Sequence, residues 1–108
     1  MRPETLPAWV ERLETGYGRV YLRVSEMYDE PVEVIVDVSK SGGGVRAKTE
    51  AIGRLITKLL QYDCDVREIA DELIGITDDC PQATRHGLNL SVPDAIGQAL
   101  KRRYCGGK

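Results

Sequence analysis

The chain has 108 residues, 42% of them hydrophobic and 30% charged, which is the balance of one small globular domain with a single modest core and not of a disordered tail. A formal net charge of −2 excludes a global positive field that would draw it to nucleic acid or to an anionic membrane. Met1, Arg2, Pro3 and Glu4 do not open a signal peptide, and Cys64, Cys80 and Cys105 are odd in number and far apart. A cytoplasmic protein with free thiols is the expectation.

Residues 1–16, with Pro3, Pro7, Trp9 and Gly16, read as an N-terminal arm with a short helical turn around Ala8–Leu13. From Arg19 to Val24 the pattern alternates. Val20, Leu22 and Val24 fall on one face, and Arg19, Tyr21 and Arg23 on the other. After a turn through Tyr28, Asp29, Glu30 and Pro31, a second strand puts Val32, Val34, Val36 and Val38 inward and Glu33, Ile35 and Asp37 outward. The two form an antiparallel hairpin. Pairs between Arg19 or Arg23 and Glu33 or Asp37 would support its register by about 0.2–1 kcal/mol each.

The run Ser41-Gly42-Gly43-Gly44 ends that strand, and Val45 to about Gln61 predicts an amphipathic helix with Val45, Ile52, Leu55, Ile56, Leu59 and Leu60 on its apolar side. A second helix is expected over Val66–Ile74, opened by Asp65 with Glu68 and closed by Gly75. Residues 76–90 are irregular, and Leu88-Asn89-Leu90 has room to add a third strand. Ser91 with Asp94, and Pro93 between them, start a last helix that ends near Arg103. The fold class is therefore α+β, a hairpin of two or three strands packed against about three helices. Its second face is left open to the arm, another copy of the chain or a partner protein.

The candidate site is Lys40-Ser41-Gly42-Gly43-Gly44 followed by a helix whose first turn carries Arg46 and Lys48. A helix start exposes unpaired N–H groups and partial positive charge, so stability alone favours acidic residues there. Basic residues beside glycines point to a phosphate-bearing ligand. The competing reading is a solvated turn, because the spacing matches neither the phosphate-loop pattern nor the dinucleotide fingerprint.

Other chemistry finds little support. Cys64, Cys80, Cys105 and His86 contain no CxxC or HxxxH pair to seed a metal site. Cys80 and His86 lack a third residue to orient them as a catalytic pair. Lys101-Arg102-Arg103 complements a helix C-terminus without any ligand. No catalytic residue, metal or cofactor is assigned.

Three stretches together carry a resemblance. They are Thr15-Gly16-Tyr17-Gly18-Arg19-Val20-Tyr21-Leu22, then Glu33-Val34-Ile35-Val36 with Lys40-Ser41-Gly42-Gly43-Gly44 and Glu50-Ala51-Ile52-Gly53-Arg54-Leu55-Ile56, and finally Gly75-Ile76, Cys80-Pro81 and Leu90 through Leu100. In order and spacing, over about residues 14–103, the chain resembles the TSCPD domain at the C-terminal end of adenosylcobalamin-dependent ribonucleotide reductases. The resemblance implies an arm over 1–16, a TSCPD-like domain over 17–104 and a tail over 105–108. It implies a non-catalytic accessory module of nucleotide metabolism that binds a nucleotide or another phosphate ligand at Lys40–Gly44, Arg46 and Lys48. The alternatives are a module that docks on a reductase subunit or self-associates, and a free-standing protein that sequesters a nucleotide signal. The reductase barrel and its radical cysteine are absent from this sequence. The paired cysteines of the family's tail are reduced to Cys105, which has no resolving partner for a redox relay.

Overall fold

Tight turns and alternating apolar residues build a meander of three strands in this computed structural model, which describes residues 5–39 and 44–106. β1 spans Ala8–Thr15, β2 Gly18–Met27 and β3 Glu30–Val38, paired antiparallel in the order β1-β2-β3. The segment read from sequence as an arm with a helical turn is thus an edge strand, with Leu13 opposite Val20 and Trp9 opposite Val24.

The β2–β3 turn is shorter than expected. Tyr28 and Asp29 make it alone, at φ of 55° and 64°, and Glu30 and Pro31 already belong to β3. Positive φ at both central residues matches the strand twist of a two-residue hairpin. An irregularity follows, since Ser25 faces Glu33 while Glu26 faces Pro31, leaving Val32 as the extra residue. Beyond it the alternation holds, with Val34 and Val36 buried and Ile35 and Asp37 exposed.

Three helices follow the sheet. They are α1 over Val45–Gln61, α2 over Val66–Leu73 and α3 over Val92–Tyr104. The caps expected for the last two are present. Asp65 accepts from the Arg67 N–H at 2.9 Å, and the Ser91 hydroxyl accepts from the Asp94 N–H at 3.1 Å. Leu13, Val20, Leu22, Val24, Val34 and Val36 of the sheet share one core with Ile56, Ile69, Ala70 and the α3 residues Val92, Ala95, Ile96, Ala99 and Leu100. The strand expected near Leu88–Leu90 forms β5, Gly87–Asn89, which pairs with β4, Gln82–Thr84, as a separate hairpin. That hairpin meets the sheet's edge through Asn89, whose Nδ2 donates to the Glu14 carbonyl at 2.8 Å.

The packing of α1 departs from the hydrophobic pattern. Leu55 and Leu59, placed on its buried side by spacing, are exposed, and Thr49 and Gly53, which the spacing left off that side, are buried alongside Ile56. The cause is the surface the helix meets. α1 lies along the backbone edge of β3, where the Thr57 hydroxyl accepts from the Val34 N–H at 2.9 Å and donates to the Val34 carbonyl at 3.2 Å. At Gly53 a Cβ would sit 3.1 Å from the Val34 oxygen and 3.4 Å from the Val36 nitrogen. Only a small residue allows this approach, and it closes a strand edge that would otherwise invite pairing.

The open face of the sheet also differs in its charges from the expected pattern. Arg23 pairs with Asp37 at 3.6 Å, as anticipated, but Arg19 turns to Glu14 of β1 at 3.7 Å. No described helix is long and apolar enough to cross a membrane.

Candidate functional site

α1 begins without any of the devices that open α2 and α3. Its N-cap is Gly44, left-handed at φ 82°, with no side-chain cap and no acidic residue in the first turn. The first helical bond runs from the Lys48 N–H to the Gly44 carbonyl at 3.2 Å. The N–H groups of Val45, Arg46 and Ala47 therefore precede the ladder and have no acceptor among the described residues. Glycine at the cap suits its left-handed backbone and presents no Cβ to whatever approaches.

Of the seven residues assigned to this site from sequence, Gly44, Arg46 and Lys48 are described, and all three are exposed. Lys40, Ser41, Gly42 and Gly43 lie outside the described residues. Neither Arg46 nor Lys48 has an ionic partner among the described residues, whereas Arg54 further along the helix is held by Glu50 at 3.3 Å. Below them the Thr49 hydroxyl is turned inward and donates to the Arg46 carbonyl at 2.9 Å, which fixes the first turn.

From Arg46 an open groove of about 860 Å³ runs between α1 and β3. One bank carries Arg46, Glu50, Arg54 and Lys58, the other Asp37 and Ser39, and Gly53 and Thr57 line it between them. Sequence reasoning missed this groove. Its one local signal is a glycine in the middle of a helix, which marks close approach of another backbone.

The remaining chemistry-bearing residues do not converge. Cys64 and Cys105 are half-buried and Cys80 exposed, all as free thiols. His86 sits at the tip of the β4–β5 hairpin, its backbone N–H on the Thr84 hydroxyl, and no hydrogen bond joins it to Cys80. No group of His, Cys, Asp and Glu able to hold a metal exists among the described residues.

The most hydrogen-bonded polar side chains serve the fold. Asp94, buried at the start of α3, accepts from the Gly75 and Leu90 N–H groups, each at 2.8 Å, and from Gln98 Nε2 at 2.6 Å. Glu26 accepts from Tyr104 Oη and from Trp9 Nε1 at 3.2 Å, with Arg103 Nε at 3.7 Å and its guanidinium 5.2 Å above the Trp9 ring. Burial, and then the bond to Glu26, push the Tyr104 phenol well above the ordinary tyrosine range.

Comparison with known proteins returns one match. The family model described as the TSCPD domain matches residues 2–104, nearly the whole chain and including β1. No curated protein and no solved structure matches it.

Proposed function

Because the chain belongs to the TSCPD domain family, we propose that it acts as a non-catalytic accessory module that binds a nucleotide or another phosphate-bearing ligand at the start of α1. The observation that carries this reading is the set of backbone donors at Val45, Arg46 and Ala47, uncapped and flanked by two cations without ionic partners among the described residues. A phosphate oxygen would accept from those N–H groups along the helix dipole, and Arg46 would add a charge-assisted contact. The groove that opens beside Arg46 has room for the rest of a nucleotide.

Titration calorimetry with nucleoside di- and triphosphates, cyclic nucleotides and inorganic pyrophosphate tests it. Binding should weaken by at least about tenfold in Arg46→Glu and in Lys48→Glu, since each reverses a charge at the anion. The far-UV circular dichroism of both variants should stay that of the parent. Silence across the panel at millimolar ligand would remove the proposal.

A second reading is docking on a reductase subunit through the open face of the sheet. Val10, Arg23 and Ile35 form one cross-strand row there, and Val10 is 60% exposed. In that case Ile35→Asp abolishes co-sedimentation with the subunit, while Arg46→Glu leaves it unchanged.

A further inference from the structure

The chain closes one edge of its sheet with a helix and leaves much of the other bare. α1 lies along β3, whereas on β1 the closure among the described residues is at Glu14, whose carbonyl accepts from Asn89 Nδ2 at 2.8 Å. The pairing of β1 with β2 fixes what remains. Pro7 gives its carbonyl to the Glu26 N–H, so Trp9, Glu11 and Leu13 turn their backbone groups to β2, and Ala8, Val10 and Arg12 turn theirs away from it. The donors and acceptors of these three exposed residues meet no partner among the described residues.

A groove of about 930 Å³ runs along this bare stretch, with the tip of the β4–β5 hairpin, Thr84 to His86, as its far wall. Its charges do not balance. Glu11 and Arg102 neutralise each other, but Arg12 and Arg19 share the one carboxylate of Glu14, at 3.1 and 3.7 Å, and Arg85 has no ionic partner among the described residues. We infer that this edge captures an extended segment of another protein, which joins the sheet as a strand antiparallel to β1 and sets an acidic side chain against Arg12 and Arg85.

The backbone decides the class of ligand. An outward N–H and C=O recur every second residue, about 6.8 Å apart, and another polypeptide strand answers both kinds of group at that spacing. A nucleic acid or polyphosphate would bring its charge against the carbonyls of Ala8, Val10 and Arg12 as well as against the amides. Side chains decide the sequence. The residue opposite Arg12 lies on the open face, in the groove that holds both guanidiniums, and two positions later an antiparallel strand meets Val10, which is 60% exposed. The order recognised is acid, any residue, apolar.

A second copy of the chain supplies this poorly. Its bare edge is β1 again, where the acid among the outward-facing residues is Glu14, and Asn89 already occupies that carbonyl. The inference does not rest on the phosphate reading, because it involves neither the start of α1 nor the groove beside it.

Nuclear magnetic resonance of the nitrogen-15-labelled full chain, titrated with a capped peptide of the repeating order Thr-Glu-Thr-Val, tests it. The Val10 and Arg12 amides should shift and exchange more slowly with water, and the affinity should be weak because so short an edge is far smaller than a standard interface. Arg85→Glu, on the hairpin and outside the sheet, should weaken binding at least about tenfold with unchanged circular dichroism. Val10→Pro should abolish it, since proline there removes an outward N–H and no bond to β2. The same peptide with Lys for Glu, or with alternate backbone nitrogens methylated, should bind at least about tenfold more weakly. Amides of Val10 and Arg12 that stay unmoved at millimolar peptide, equal binding of the lysine or methylated peptide, or shifts centred on Ile35 or Val45 would each overturn the inference. Equal affinity of the same edge for oligothymidylate or tripolyphosphate would overturn it as well.

Discussion

At the scale of single residues, Asp94 shows how much one side chain can organise. Its carboxylate fastens the Gly75 turn after α2, the Leu90 N–H before α3 and Gln98 one turn further on, all from a position 1% exposed. In Asp94→Ala the Gly75 and Leu90 donors lose their acceptor, at about 1–3 kcal/mol for each donor left buried and unsatisfied. The variant should therefore unfold at clearly lower urea with an unchanged slope, by roughly 3 kcal/mol in all. Part of this was legible. Ser91, Pro93 and Asp94 announce a helix start because capping is a contact between neighbours. That Asp94 also holds Gly75, 19 residues away, is a tertiary fact which no local pattern encodes.

At the scale of elements, the helix starts were readable and the face of α1 only in part. The expected bounds of α1, Val45 to Gln61, coincide with those observed, since glycines punctuate its beginning and apolar spacing fixes its period. Its buried side was read in part, with Ile56 in the core and Ile52 and Leu60 against it, because hydrophobicity locates a whole face only when the neighbour is an apolar surface. Here the neighbour is the polar edge of β3, so Thr49, Gly53 and Thr57 turn inward or along it and two leucines turn out. β1 was misread for a related reason. Trp9, Glu11, Leu13 and Thr15 share its inner side, and Glu11 breaks the apolar alternation until Arg102, 91 residues away, neutralises it. Of the candidate site, the glycine cap and its two cations were visible in sequence, but the groove beside them depends on how α1 meets β3. Thr57→Val is the direct test of that contact. It keeps the shape, removes the hydroxyl, and leaves the Val34 N–H without its acceptor, so stability should fall by about 1–3 kcal/mol in chemical denaturation. The reverse substitution of a neighbouring exposed position, such as Leu55→Thr, should cost far less.

At the scale of the whole molecule, the Glu26 cluster joins the beginning of β1, the end of β2 and the last turn of α3 through Trp9, Tyr104 and Arg103. The raised titration of Tyr104 gives this joint a pH signature. A phenol whose folded pKa lies above its unfolded value, near 10, contributes stability that is complete below about pH 10 and is lost as pH rises above it. Tyr104→Phe should therefore melt lower than the parent at neutral pH, by the equivalent of about 1 kcal/mol for the lost hydrogen bond. Since phenylalanine does not titrate, the two melting temperatures should draw together above about pH 10. A gap that stays constant through that range would show that the Tyr104 phenol is not held buried against Glu26 in solution.

The same joint also decides how such a domain can be carried. A polypeptide that enters at Trp9 and departs after Tyr104 does both at one spot, since those two side chains are hydrogen-bonded to each other at 2.9 Å. It can hang from a longer polypeptide like a pendant, spliced in by two adjacent linkers, without pulling its host's incoming and outgoing segments apart.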